Sequence, residues 1–133
     1  MFARQRGVEI LLENIPNHFS SAERLAYLLE TTHLNLGLCF DVGHAHLMEG
    51  IETAFTIMQH RIRSTHLHDN DGENDAHLFP WLAPAGTVPW PRTMELLRSR
   101  PSQYPLLLEL REDPDRKQPL EAVKEIFERL ESC

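Results

Sequence analysis

One short stretch limits the possible folds of this chain more than any other. Leu36–Phe40 is an apolar run that ends abruptly in Asp41, and two histidines, His44 and His46, follow within five residues. A short apolar run that is bounded by polar residues is typical of a strand that is buried on both faces of a sheet. The acid then lies where the strand ends. By itself, such an aspartate most often forms a turn or caps the next helix.

Three other apolar stretches end in the same way. One strand is predicted from Val8 and stops at Pro16, a second spans residues 62–68, and a third spans residues 104–110. Their ends carry the polar residues Glu13, His66 with His68, and Glu109. Because alternate residues of a strand share a face, His66 and His68 cannot be distinguished by this pattern.

Helical patterns separate these strands. Ser20 and Glu23 form a capping box that begins a helix to about Thr32. Further helices are predicted over residues 51–59, over 91–98 and from Pro119 onwards. Alternation of strands and helices predicts an α/β fold with a parallel sheet, built from TIM-barrel-type (β/α) units. Residues 69–90 have no periodicity, but their Trp and Val residues predict an ordered loop.

Composition excludes several classes of protein. The chain has 133 residues, of which 41% are hydrophobic and 25% charged, as expected for a single folded domain over residues 1–133. It has neither an apolar run of about 18 residues nor the core of a signal peptide, so we expect a cytoplasmic protein without a membrane partner. The net charge of −7 argues against a nucleic-acid surface. Cys39 and Cys133 are not expected to form a disulfide.

The four strand ends predict a metal site. Parallel strands bring their carboxyl ends to one edge of the sheet, where α/β proteins place their active sites. Glu13, Asp41, His66 and Glu109 would meet there. Three carboxylates and one imidazole suit a divalent cation such as Mn²⁺, Mg²⁺, Co²⁺ or Zn²⁺.

These residues also carry a resemblance to a known family. The motifs, in order, are Glu13-Asn14, Asp41-Val42-Gly43-His44, His66-Leu67-His68-Asp69-Asn70, Asp75-Ala76-His77, Gly86-Thr87-Val88-Pro89-Trp90 and Glu109. In this order and spacing they resemble the second half of the xylose isomerase-like TIM-barrel superfamily. That group includes sugar-phosphate isomerases, ketose 3-epimerases, inosose dehydratases and the endonuclease IV type of DNA repair enzyme.

The resemblance implies roles for the residues at the strand ends. Glu13, Asp41, His66 and Glu109 would be the metal ligands, which favours His66 over His68 as the ligand from its strand. His68 would not bind the metal itself but would contact one of the metal-binding residues. Glu13 and Glu109 would also be the catalytic pair, one removing a proton from the substrate and the other returning it.

Three more residues gain alternative roles from the same resemblance. His44 would bind substrate in the epimerases, or would bind a further metal together with Asp75 and His77 in the endonuclease-like members. A histidine that merely holds a turn through a hydrogen bond remains the competing interpretation of His44.

The expected activity is metal-dependent isomerisation or epimerisation of a sugar or sugar phosphate through an enediolate. An endonuclease IV-like phosphodiesterase is the alternative, which the acidic charge opposes. A half-barrel without catalytic activity is the third possibility.

The length of the chain sets one further expectation. A complete barrel of this type has eight strands and about 250 residues, whereas four strands are predicted here. The two outer strands would have unpaired edges, which favour association. We therefore expect either a homodimer of half-barrels or a fragment that lacks the N-terminal half of a longer parent.

Overall fold

The fold is known from a computed structural model, which describes residues 2–100 and 104–133. The elements in chain order are α1 (Phe2–Gln5), β1 (Leu11–Glu13), α2 (Ala22–Thr32), β2 (Gly37–Asp41), α3 (Val42–Leu47), α4 (Ile51–Met58), β3 (Ile62–Leu67), α5 (Trp90–Arg98), β4 (Leu106–Leu108) and α6 (Pro119–Ser132). No helix within these residues is both long and apolar enough to cross a membrane.

The four strands form one parallel sheet in the order β1-β2-β3-β4. Each strand therefore lies beside its neighbour in sequence, as in a barrel of (β/α) units. This confirms the predicted α/β fold class. Among the described residues, β1 and β4 each have a strand partner on one side only.

A single apolar core lies between the sheet and the helices. Leu38 and Phe40 of β2 contribute to it, together with Leu29 of α2, Met58 of α4 and Ile126 of α6. Each of these side chains is at most 1% exposed. Because neighbouring strand residues face opposite ways, the face away from the core receives Cys39 and Asp41. The chemistry-bearing side chains thus lie on the sheet face that the helices leave free.

Several boundaries differ from those predicted. Strand β1 begins at Leu11 instead of Val8, and Val8 is 55% exposed. The N-cap of α2 is Ser21, whose side chain accepts a hydrogen bond from the Arg24 amide, so the proposed cap at Ser20 is wrong by one residue. The physical reason is that Asn17 accepts the Ser20 amide hydrogen bond in a preceding turn, which keeps Ser20 outside the helix.

Two helices have no counterpart among the predicted elements, and one of them shapes the site. The short helix α3 follows β2 directly, with Asp41 as its N-cap. The side-chain oxygen of Asp41 accepts a 2.7 Å hydrogen bond from the His44 amide. The capping role considered for Asp41 is therefore real, and it leaves the other carboxylate oxygen free for a second role. The other unpredicted helix is α1.

The long loop between β3 and α5 is ordered, as its Trp and Val residues predicted. Asp69 pairs with Leu78 in an isolated antiparallel bridge. The Asp69 carboxylate also accepts hydrogen bonds from the Val88 amide at 3.0 Å and from the Trp90 indole at 2.7 Å. Asp69 thus fastens both ends of the loop to each other, and the loop brings its own side chains towards the end of β3.

Candidate metal centres

The four side chains predicted to meet at the sheet edge do lie together. Glu13, Asp41, His66 and Glu109 each offer one ligand-type atom, and these atoms all lie within 4.8 Å of one another. We call this set the carboxylate cluster. Ligands on opposite sides of a divalent cation lie roughly 4.2 Å apart, twice a bond of about 2.1 Å. The spacing therefore suits a single ion.

Strand register explains this convergence. Glu13 and Asp41 are the last residues of β1 and β2, and His66 lies opposite Asp41 in the β2–β3 ladder. Glu109 follows β4 by one residue, and its amide donates to the Leu67 carbonyl. The sheet itself therefore places the four side chains at one rim.

The Nδ1 atom of His66 lies at the middle of the carboxylate cluster. It is 3.1 Å from Glu13 Oε1, 3.0 Å from Glu109 Oε2 and 3.8 Å from Asp41 Oδ2. Exposure differs across the cluster, because the Asp41 side chain is fully buried whereas that of Glu109 is 45% exposed. A ligand would therefore approach from the side of Glu109. Glu109 is exposed because the outer side of β4 has no described strand beside it.

The carboxylate cluster contains a buried polar atom that lacks a partner. Asp41 Oδ2 has no hydrogen-bond partner among the described residues. An unsatisfied buried carboxylate oxygen, close to two other carboxylates, is unfavourable unless a cation neutralises it. The donor set and this oxygen thus fit a divalent metal ion.

A second cluster lies beside the first. His44, His68, Asp75 and His77 also have ligand-type atoms within 4.8 Å of one another, and we call this set the histidine cluster. The structure thus brings together the three residues named by the resemblance and adds His68 as a fourth. Sequence reasoning placed His68 only in support of a ligand. Its position two residues after His66, at the start of the loop, was the signal that could have suggested more.

The three imidazoles of the histidine cluster use their two ring nitrogens in the same way. Their Nδ1 atoms face main-chain carbonyls: His44 faces Asn14 at 2.9 Å, His77 faces Glu109 at 2.9 Å and His68 faces Asp69 at 3.4 Å. A carbonyl oxygen can only accept, so Nδ1 carries the proton in each contact. Each Nε2 is then directed to the cluster, as is typical of metal-binding histidines.

His68 is the most enclosed residue of the histidine cluster. Its side chain is fully buried, and its ring stacks on that of His77 with 3.8 Å between centroids. Its Nε2 lies 3.1 Å from Asp41 Oδ1 but has no hydrogen-bond partner of suitable geometry among the described residues. Gly43 packs against the ring, since a Cβ built there would lie 2.1 Å from His68 Cε1. The histidine cluster therefore also contains a buried, unsatisfied ligand atom.

Contacts between the two clusters shift the pKa values of His44 and Glu13. Burial alone would lower the pKa of His44, but the Glu13 hydrogen bond, the charges of Asp41 and Asp75 and the Asn14 carbonyl outweigh it and raise this pKa to about 9. The same His44 contact is the main cause that lowers the pKa of Glu13. These shifts favour a carboxylate at Glu13 and a positive charge at His44 when no cation is present.

Cys39 lies under the carboxylate cluster but is a poor ligand. Burial, reinforced by the charges of Glu13 and Asp41, raises the pKa of its thiol to about 12. The thiol therefore remains protonated, whereas metal binding requires a thiolate. Both cysteines are free, as expected.

The fold has relatives of known structure. A D-tagatose 3-epimerase-like protein matches with a TM-score of 0.71 at 28% identity, and the match covers 98% of this chain and 51% of that one. A protein from Thermus thermophilus, whose crystal was soaked with zinc chloride, matches with a TM-score of 0.64 at 27% identity. That match covers 98% of this chain and 47% of the other. The chain thus spans about half the length of these solved structures.

Sequence comparison agrees with the structural matches. An uncharacterised protein of Methanocaldococcus jannaschii is 36% identical over 77 residues, which are 54% of this chain and 29% of that protein. The model of the xylose isomerase-like TIM barrel family matches residues 1–133. Because this match spans the whole sequence and agrees with the parallel (β/α) sheet, the chain belongs to the xylose isomerase-like TIM barrel family.

Proposed function

We propose that this chain is the metal-binding half of a sugar or sugar phosphate isomerase or epimerase. The observation that carries the proposal is the carboxylate cluster at the sheet rim, with its unsatisfied Asp41 oxygen. The D-tagatose 3-epimerase-like neighbour supports a ketose as the substrate class. We also expect the protein to act in the cytoplasm.

In this proposal Glu13, Asp41, His66 and Glu109 hold a divalent metal ion. When bound, such an ion polarises the oxygen atoms of a substrate and disperses the negative charge that develops on them. The hard oxygen donors favour Mn²⁺ or Mg²⁺, while Co²⁺ and Zn²⁺ remain compatible with the imidazole.

The chain's own part in the reaction is to move a proton. One carboxylate of the Glu13–Glu109 pair removes a proton from the carbon next to the substrate carbonyl. The electrons of the broken C–H bond form the C=C bond of an enediolate, and the carbonyl oxygen becomes negative. The other glutamate, protonated, returns a proton to the opposite face, which inverts that carbon.

Exchange of a substrate proton with solvent tests this mechanism. We expect the wild-type protein, loaded with Mn²⁺ in D₂O, to incorporate deuterium at the reacting carbon of a ketohexose or its phosphate, as followed by NMR. Glu109→Gln should retain the fold and lose this exchange by about 100-fold or more. Glu112→Gln is the matched control, because Glu112 is exposed and belongs to neither cluster. Wild-type exchange in Glu109→Gln would remove Glu109 from the mechanism.

The free strand edges belong to the same proposal. Closure of the barrel requires four further strands. Apolar side chains are exposed at the two outer strands: Leu107 of β4 is 50% exposed, and Ile10, the residue before β1, is 47% exposed. A second copy of this chain, or the remaining half of a longer parent, would cover them. Light scattering of the 133-residue chain should give the mass of a dimer if a second copy closes the barrel. A monomeric mass with a cooperative thermal transition would rule out the homodimer.

The histidine cluster supports a second candidate function, a metal-dependent phosphodiesterase of the endonuclease IV type. Three imidazoles with one carboxylate suit Zn²⁺, and a further metal beside the first would suit a phosphate substrate. The net charge of −7 opposes a nucleic-acid substrate. Cleavage of an oligonucleotide with an abasic site would favour this candidate, whereas ketose epimerisation would favour the first. Bound metal without either activity would indicate a half-barrel that is not catalytic.

A further inference from the structure

Asn14 is a buried residue whose side chain and main chain contact both clusters. It follows Glu13 directly at the end of β1 and is 4% exposed. Its side-chain amide makes a reciprocal pair with the main chain of Asp41. The Asp41 amide donates to Asn14 Oδ1 at 2.8 Å, and Asn14 Nδ2 donates to the Asp41 carbonyl at 2.9 Å. One side chain thus continues the β1–β2 pairing past the last residues of the ladder.

The main chain of Asn14 makes a third contact in the same region. Its carbonyl oxygen accepts a 2.9 Å hydrogen bond from His44 Nδ1. The ring's other nitrogen, Nε2, then faces Asp75 Oδ2 at 3.4 Å. The main-chain carbonyl of Asn14 therefore sets the ring orientation of His44, while its side chain sets the position of the Asp41 backbone.

Asp41 and His44 lie where the two clusters meet, and a further contact joins His77 Nδ1 to the Glu109 carbonyl at 2.9 Å. Asp41 directs Oδ1 to His68, at 3.1 Å, and Oδ2 to His66, at 3.8 Å. A displacement of the Asp41 backbone would therefore disturb a donor atom in each cluster.

We propose that Asn14 is a positioning residue that holds the carboxylate and histidine clusters in register. It binds neither metal nor substrate and acts through Asp41 and His44. This inference rests on the proposed function only in treating Asp41 as a metal ligand. Residues that orient ligands from outside the metal's own shell typically change metal affinity 10–100-fold when replaced.

Two substitutions separate positioning from ordinary structural support. Asn14→Ala removes both amide contacts to Asp41. Asn14→Asp is isosteric and keeps the acceptor for the Asp41 amide, so it serves as the conservative variant. Thr93→Val is the control, because Thr93 is 1% exposed and its hydroxyl donates to the Pro89 carbonyl far along the chain from both clusters.

The experiment measures Mn²⁺ affinity by calorimetry and the His44 ring by NMR, each in folded protein. For Asn14→Ala we expect a Kd for Mn²⁺ that is about 10–100-fold weaker. We also expect a displaced His44 Nδ1–H signal, because the Asn14 carbonyl remains in this variant but is no longer held in place by the side-chain bonds to Asp41. Asn14→Asp should fall between Asn14→Ala and wild type. Thr93→Val should lose stability without a change in either readout.

The inference is overturned if Asn14→Asp, or Asn14→Ala where it folds, binds Mn²⁺ as wild type does and retains the His44 ring signal. Failure of wild type to bind Mn²⁺ would instead count against the proposed function. In that case the His44 ring signal and the Asp41 amide signal of the metal-free protein still decide the role of Asn14: wild-type signals in the variants would refute it, and displaced signals would support it.

Discussion

The two clusters differ in chemistry and in the way the fold builds them. The carboxylate cluster has three carboxylates and one imidazole, it comes from four strand ends, and Glu109 in it is 45% exposed. The histidine cluster has three imidazoles and one carboxylate, and it comes from a short helix and a loop. His68 in it is fully buried. Hard oxygen donors suit Mn²⁺ or Mg²⁺, whereas imidazoles suit Zn²⁺. The difference in donor atoms therefore predicts that the two clusters prefer different metal ions, although each has one exposed carboxylate, Glu109 at 45% and Asp75 at 39%.

The contrast has a limit, because the clusters share Asp41 as a neighbour. One oxygen of Asp41 caps α3 and approaches His68, while the other faces His66. The two sites are therefore chemically distinct but mechanically connected. Substitutions that act on one cluster, on the other, or on both can separate these properties.

Asp41→Ala should have the largest effect and should erase the distinction between the clusters. We expect Mn²⁺ affinity to fall by at least about 100-fold and Zn²⁺ affinity to fall as well, because both sets of donors lose their shared neighbour. Loss of the cap on α3 should also destabilise the fold by about 1 kcal/mol. Calorimetric titration with each metal measures the first effect. Retention of wild-type affinity for either metal in the folded variant would contradict the shared position of Asp41.

Gly43→Ala should affect the histidine cluster alone. The added methyl group would overlap the His68 ring, so the ring must leave its place beside His77. Overpacking of this kind typically costs about 1–3 kcal/mol. A Zn²⁺ titration should lose one equivalent while Mn²⁺ binding remains, and the second measurement is the internal control. Parallel loss of both metals would show that the clusters are not separable.

A pH dependence of stability should originate at His44. Its pKa is raised to about 9 in the folded, metal-free protein, above an ordinary value of about 6.5. The contribution of protonated His44 to the free energy of unfolding is therefore fully present below pH 6.5 and is lost as the pH rises through 9. We expect the free energy of unfolding to fall by on the order of 3 kcal/mol over this range. Urea titrations with a chelator present measure it.

His44→Gln is the control for this pH dependence. It should be less stable at pH 6.5 and nearly flat up to pH 9. An equal slope in this variant and in wild type would assign the effect to another group.

The carboxylate cluster could be predicted from sequence because each member ends an apolar run. Period-2 alternation and the geometry of parallel strands bring Glu13, Asp41 and Glu109 to one rim without further information. His66 was distinguished from His68 only through the family resemblance, since the two share a face. In the structure Nδ1 of His66 lies among the carboxylates, and His68 lies just past the end of β3.

The remaining features leave weaker traces in the sequence. Helix α3 contains Gly43 and is short, so it has no periodic apolar stripe. Asn14 bonds to a main chain 27 residues away, and such a contact produces no local pattern. The convergence of Asp75, His77 and His68 depends on the path of an aperiodic loop. Strand patterns therefore predict what the strands position, whereas the grouping of His44, Asp75 and His77 comes only from the family resemblance. Neither source predicts that His68 joins that group or that Asn14 bonds the Asp41 main chain.

Location of the metal tests the central claim most directly. We propose a crystal structure grown with Mn²⁺, with data collected on both sides of the manganese absorption edge. The account predicts an anomalous peak about 2.1–2.3 Å from carboxylate oxygens of Glu13, Asp41 and Glu109 and from Nδ1 of His66. A well-ordered rim without a peak between these four side chains, or a peak bound elsewhere, would contradict it.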